Sequence, residues 1–351
     1  MQRTETRSPH AVSGSGYVLL LAGLGVTLVL SVAFAIGTGT VEVPVTRVIG
    51  ILWSHLGGDT TGIDPLENQI VWDFRTPRVL LAAVAGGGLS LAGVCLQSLV
   101  RNPLADPYLF GVSAGASLGA VIAMTTGGAL VAGLGVAGAA FAGSLLGLAI
   151  VFAMAQRGGR LLGGSLVLAG VAVASLGNAA TSYLQLQSNP TELRRVMFWL
   201  LGSVSGASWD DLGVPAAAIA LTTAWLLTRG RSMNALSVGD DTAAGLGVNV
   251  HRLRILLLVA SSLLTATVVS VAGGIGFVGL IVPHAVRLVV GPDQRKMLPV
   301  SVLAGAVFLV LVDLVTRTVD KPNEMPIGIF TAALGAPFFL MLLRNRKKVW
   351  R

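Results

Sequence analysis

The sequence predicts an all-α polytopic membrane protein with ten transmembrane helices and both termini on the cytoplasmic side. Three observations carry this. Hydrophobic residues make up 54% of the 351-residue chain and charged residues only 11%, with a mean hydropathy of +0.80, a membrane composition before any motif is read. Ten stretches are apolar enough to enter a bilayer and hold almost no charge. The Lys and Arg residues gather at the ends of those stretches in a sided pattern, as retained cytoplasmic charge requires.

Taken in order, the spans are Tyr17–Thr38, Val79–Val100, Leu109–Thr125, Ala129–Ala155, Leu161–Gln185, Val214–Leu227, Ile255–Ala272, Ile275–Val290, Val300–Val319 and Ile327–Leu343. The polar opening MQRTETRSPH carries Arg3 and Arg7 and runs into the first apolar stretch without a small-residue cleavage site. It reads as the lead-in to a retained helix, not as a cleaved signal peptide. Two spans, Val214–Leu227 and Ile275–Val290, fall short of the roughly 18 apolar residues that normally mark a crossing, so charge must arbitrate.

With both short spans kept and the N-terminus inside, 17 of the 24 Lys and Arg residues lie in inside segments or, for Arg287, at the inner end of a span. Dropping either one inverts everything after it and sends the basic tail RNRKKVWR outside. Dropping both leaves Arg229, Arg231, Arg252 and Arg254 outside. Ten spans satisfy the positive-inside rule best. The chain is then one transmembrane domain over 1–351, with a cytoplasmic tail at 1–16, a cytoplasmic loop at 228–254 and a basic cytoplasmic tail at 344–351. The net charge of +8 follows this sidedness and does not point to nucleic acid.

Three segments outside the spans stand out. Val41–Thr76 is the longest outside loop. Gln187–Asp211 contains ELRRVMFWLLGS, apolar on one side and basic on the other, as in a short helix lying at the membrane surface. In the inside loop Thr228–Arg254, Asp240 and Asp241 precede small helix-forming residues and then Gly245 and Gly247, which reads as a short capped helix, a turn and another short helix. A structured inside loop suggests a docking site.

Forty-five glycines suit close helix–helix approach in lipid. The single cysteine, Cys95, cannot form an intrachain disulfide. No GxxxxGK[ST] occurs, so the chain lacks a P-loop of its own, and an ATP-driven motor would have to be another subunit. Gly111-Val112-Ser113-Ala114-Gly115 matches the nucleophile-elbow pattern, but that elbow needs a strand–turn–helix in an α/β sheet, whereas here it opens a membrane helix. His251 and His284 lack metal-ligand spacing. Asp313 is the only acid well inside a span. An intramembrane carboxylate is a functional candidate, yet it stands four residues before Arg317, and an i, i+4 pair is the favoured account. A proton-coupled carrier would be expected to offer several such groups.

Three longer stretches carry a resemblance. They are Arg75-Thr76-Pro77-Arg78 with VLLAAVAGGGLSLAGVCLQSLVRNPLADPYLFGVSAGASLGA, then LGVNVHRLR, then the run from GGIGFVGLIVPHAVRLVVGPDQRK through DKPNEMPIGIFTAALGAPFFLMLLR. Together they resemble the FecCD family of ATP-binding-cassette importer permeases, over roughly Arg75 to Arg344. The resemblance implies the type II importer permease fold in a bacterial cytoplasmic membrane. It implies a second permease subunit, identical or paralogous, two cytoplasmic ABC ATPase subunits and an extracytoplasmic solute-binding protein. It implies a transport subunit, not an enzyme, with no cofactor or metal of its own, ATP and Mg being held by the ATPases. The cargo it implies is an iron chelate, a ferric siderophore first, with haem or cobalamin as alternatives.

Residue roles follow from the same resemblance. Arg75, Arg78 and Arg317 match outer-face arginines that pair with glutamates of the binding protein, ordinary interfacial anchoring being the competing account. Asn102 and Leu104 match the inner gate together with Gly163 and Gly164, where the cobalamin permease has hydroxyl residues. Asp240, Asp241, Ala243, Gly245, Leu246 and Gly247 match the helices that couple to the ATPase. Glu324 suits the positive end of the helix dipole that begins after Pro326.

Overall fold

A computed structural model describes residues 14–39, 41, 43–58, 62–103, 105–106, 111–126, 135–157, 160–161, 163–321 and 323–344. Fourteen α-helices follow one another along these residues. The first, α1 (Gly14–Gly37), leads to a short amphipathic α2 (Val45–His55) and a single turn, α3 (Pro65–Asn68), started by Asp64 capping the Leu66 amide and by Pro65 at the first helical position. A π-helical stretch, Gln69–Arg75, runs without a break into α4 (Thr76–Val100). Then come α5 (Val112–Thr125), α6 (Gly135–Ala155), α7 (Gly163–Leu186), α8 (Pro190–Leu200) and α9 (Gly213–Val238). The chain closes with α10 (Asp240–Gly245), α11 (Val250–Ala272), α12 (Val278–Val290), α13 (Gln294–Thr318) and α14 (Ile327–Arg344). Gln156–Arg157 and Arg160–Leu161 pair antiparallel between α6 and α7.

Among the described residues, seven helical segments are long and apolar enough to cross a membrane, and α5, α12 and α14 are shorter apolar helices. Among the described residues each predicted span falls on a helix, positions 109–110 and 129–134 of the third and fourth spans lying outside them, but the bounds differ where polar residues continue a helix past its apolar stretch. The correction is largest at α9. It does not stop near Leu227 but runs on through Arg229 and Arg231 to Val238, because a helix needs backbone bonds and not apolarity to continue. The connection predicted over 228–254 therefore shrinks to residues 239–249. Its second short helix is the first turn of α11, started by Asn249 accepting from the Arg252 amide at 2.9 Å. The predicted outside loop Val41–Thr76 is helical over α2, α3 and the π stretch. The surface helix predicted within Gln187–Asp211 is α8, held by a capping box between Asn189 and Glu192.

α4 is the axis of the bundle, buried along almost its whole length. Its glycines explain how. A Cβ on Gly86 would overlap the Gly305 carbonyl of α13, and one on Gly93 would overlap the Gly279 carbonyl of α12. Backbone thus lies on backbone at both crossings, the arrangement small residues permit where lipid offers no hydrophobic drive. Gly115 of α5 and Gly143 of α6 meet the same way. Near its other end α4 is tied by Gln97, whose amide donates to the Gly279 carbonyl at 3.1 Å.

Candidate functional site

The start of α4, the end of α13 and the end of α1 come together at one end of the bundle, and there the three sequence-predicted arginines form a cluster. All three are buried, with Arg75 at 7%, Arg78 at 8% and Arg317 at 3% exposure. Arg78 donates through Nε to Asp313 Oδ1 at 3.0 Å and through Nη1 to both oxygens of Glu324, at 2.9 and 2.8 Å. Asp313 is fully buried and also pairs with Arg317 at 3.1 Å, one turn along α13. Arg317 Nη1 donates to the Thr38 carbonyl at 3.2 Å. Arg75 donates to the carbonyls of Ile36, Gly37 and Val41, and the missing side chain of Gly39 leaves room for its guanidinium.

The π-helical stretch is what aims this corner. Its wider turn ends at Arg75, and the Thr76 hydroxyl reaches back to the Val71 carbonyl at 2.7 Å. Such stretches change the rotational phase of a helix and recur at functional positions. The sequence pairs Asp313 with Arg317, and the structure makes that pair. It gives no sign of Arg78, which lies 235 positions away from Asp313, nor of Glu324, which grips Arg78 as well as preceding α14.

The opposite end gathers the residues expected to couple to an ATPase. α10 begins after Gly239 (φ +149°) with no side-chain cap, so Asp240 and Asp241 lie in its first turn, where carboxylates meet the positive end of the helix dipole. Asp240 also pairs with Arg254 at 3.0 Å and Arg101 at 3.6 Å, which fixes α10 to α11 and to the end of α4. Ala243 is its buried contact, while Leu246 is exposed. The helix closes with Val248 donating to the Ala243 carbonyl and Gly247 donating to that of Ala244, a stop that uses the left-handed Gly247 (φ +80°). Gly245 has neither a positive φ nor any neighbour within reach of a Cβ.

Beside it, Asn234 of α9 donates to Asp293 at 2.7 Å and accepts from the Gln294 amide at 2.8 Å, joining α9 to the start of α13. Burial alone would raise the Asp293 carboxyl, but the Asn234 bond, the Arg295 amide and the Arg295 and Lys296 charges together hold it below its ordinary range. A polar cavity of about 270 Å³ opens at this end between Gln97, Ser98, Arg101, Arg287 and Gln294.

Of the predicted gate, Asn102 follows the left-handed C-cap Arg101 (φ +53°) and its carbonyl accepts from the Ala105 amide. Gly163 and Gly164 open α7, and Leu104 lies outside the described residues. The remaining motif residues have structural settings. Ser113 sits in the first turn of α5. His284 packs edge-on to Phe338, with ring centroids 5.8 Å apart. Among the described residues, no group of three His, Cys, Asp or Glu could hold a metal ion.

Comparison with known proteins bears on this architecture. The profile of the FecCD transport family matches residues 27–345. The chain is 47% identical over 286 residues to the cobalamin import system permease of Halobacterium salinarum, covering 82% of this chain and 76% of that one. It is 38% identical over 329 residues to the hemin transport system permease of Yersinia pestis, covering 93% and 96%. Its fold matches a solved structure described as an inward-facing conformation of a metal-chelate type ABC transporter. That match has a TM-score of 0.81 and 33% identity, and covers 94% of this chain and all of the other.

Proposed function

The chain belongs to the FecCD transport family of ABC importer permeases, and on that premise we propose that it forms half of the path by which a bulky metal chelate enters the cell. In this reading α1, α4, α5, α6, α7, α9, α11, α12, α13 and α14 cross the membrane as ten spans. The arginine cluster then faces outward, and α10 faces the cytoplasm with both termini. A second permease subunit completes the path, two ATPase subunits seat against α10 and its exposed Leu246, and a solute-binding protein delivers cargo at the arginine end. Asn102, Leu104, Gly163 and Gly164 serve as the inner gate. Nucleotide and Mg belong to the ATPases, and this chain performs no chemistry on its cargo.

The observation that carries the reading is the match along nearly the whole chain in both sequence and fold. The cargo is a finer matter. Identity of 47% to a cobalamin permease favours a corrinoid as the first substrate to test. A ferric siderophore, expected from the motifs, and haem are also bulky metal chelates and come second. The test is reconstitution with ATPase and binding-protein subunits from the same organism, followed by ATP-dependent uptake of radiolabelled cobalamin, ferric siderophore and haem. Uptake of one chelate that stops without ATP supports the reading. Uptake driven by an ion gradient without ATP would refute it.

A further inference from the structure

Arg78 holds two carboxylates that differ in one respect. The Asp313 side chain is 1% exposed and is also gripped by Arg317, whereas the Glu324 side chain is 38% exposed and stands on the connection into α14. Of the two, only Glu324 can be approached from solvent. The cluster is also short of negative charge. Three arginines stand beside two carboxylates, Arg75 bonding backbone carbonyls instead, and Arg317 Nη2 is buried with no hydrogen-bond partner. A carboxylate brought to this corner from outside meets an unneutralised charge and one replaceable occupant.

We infer that Glu324 is a stand-in: it occupies Arg78 in the undocked permease and gives way when a carboxylate of the solute-binding protein takes its place. This rests on the docking reading of Arg78 given above. The exchange is like for like: Asp313 stays on Arg78 Nε while the incoming carboxylate replaces Glu324 on Nη1, so no part of the buried guanidinium charge is stranded. It also explains how buried arginines can serve a docking surface at all.

The exchange has a structural consequence. Beyond Glu324, the described part of the α13–α14 connection is tied to α13 by Met325 donating to the Thr316 carbonyl, at a long 3.4 Å. The first turn of α14 hangs from the α8–α9 connection through Ile327 to the Gly202 carbonyl at 2.9 Å and Gly328 to that of Leu201 at 3.1 Å. Released Glu324 therefore loosens α14 from α4 and α13 while leaving it attached to residues 201–202. Docking would reach α14 by this route.

The experiment measures docking of the solute-binding protein that supports uptake by this permease to the reconstituted full transporter, across ionic strength, for wild type, Glu324→Gln and Arg78→Gln. Removing the internal competitor should make Glu324→Gln dock tighter by roughly two- to five-fold, the worth of a part-exposed ion pair, while Arg78→Gln docks more weakly. If Arg78→Gln weakens docking but Glu324→Gln docks as wild type or worse, the exchange is overturned and the docking reading survives. If Arg78→Gln docks as wild type, the docking reading itself fails, and the exchange with it. A spin label on Asn323→Cys gives a second readout independent of affinity. Its motion should quicken on docking in the wild-type background and be fast beforehand in Glu324→Gln. A label equally immobile in both undocked proteins would overturn the exchange.

Discussion

Asp313 of α13 accepts from Arg78 of α4 at 3.0 Å across 235 positions of sequence, and neither side chain is more than a tenth exposed. A charge pair that deep contributes mainly through the penalty for breaking it, since removing one partner strands the other. Asp313→Ala leaves both Arg78 and Arg317 without their shared carboxylate, and a loss of about 3–5 kcal/mol is expected. Thermal unfolding in detergent should show it. Asp313→Leu combined with Arg317→Leu should recover part of the loss, because the pair is then replaced by packing. A double variant no more stable than Asp313→Ala would show that the network is worth more than an apolar substitute.

Backbone contact between α4 and α13 makes a second expectation. Gly86→Leu places a side chain where the Gly305 carbonyl stands, and overpacking of this kind costs about 1–3 kcal/mol or more. Gly23→Ala on α1, where nothing lies within 4 Å of the added carbon, should change stability by less than about 0.5 kcal/mol. Melting curves of the two variants side by side decide it: equal losses would mean the glycine contact is not limiting.

The two glycines of the coupling segment should behave differently. Gly247→Val forces a branched side chain into a left-handed backbone (φ +80°), at about 1–3 kcal/mol of local strain, and should separate ATP hydrolysis from uptake. Gly245→Ala meets no obstacle and should leave both intact. The ratio of substrate transported to ATP consumed is the measurement, and a normal ratio in Gly247→Val would remove α10 from the coupling path.

Asp293 supplies the pH dependence. Its carboxyl is held below the ordinary value of 3.8 in the fold, so the unfolded chain binds the proton more readily. The sign follows: its contribution is fully present above the ordinary value and is lost as pH falls through the depressed one. The tie between α9 and α13 should therefore weaken only in acid, below about pH 4. Asp293→Asn should flatten that acid limb of the stability curve and leave it unchanged at neutral pH relative to its own baseline. An acid limb identical to wild type would show that other carboxylates control it.

Sidedness is checked with cysteines in the Cys95→Ser background. Thr242→Cys on α10 should be labelled only from the cytoplasm and Thr46→Cys on α2 only from outside. Both positions are exposed, whereas Asp64, in the same predicted outside loop, caps α3 and would be a poor choice. Labelling of Thr242→Cys by an impermeant external reagent would reverse the proposed orientation.

Helix positions were largely legible because lipid-soluble stretches announce themselves by hydropathy. Where they were not, polar residues were carrying the helix, as Arg229 and Arg231 do in α9, or an amphipathic pattern was hidden in a loop, as in α2. The π stretch was invisible, since Gln69–Arg75 differs from α-helix in hydrogen bonding and not in composition. At the candidate site, local spacing disclosed Asp313 with Arg317. The third and fourth members, Arg78 and Glu324, meet them only through tertiary packing, which one sequence does not encode in any short window.

The glycine crossings on α4 have a mechanical meaning. Where backbone rests on backbone at Gly86 and Gly305, and again at Gly93 and Gly279, there is no layer of side chains to change rotamer and let the helices part or close. α4, α12 and α13 then behave as a single post of fixed width. A transporter that alternates between two openings must place its moving joints away from this post, as at α14, whose first turn hydrogen-bonds to residues 201–202 and not to the post.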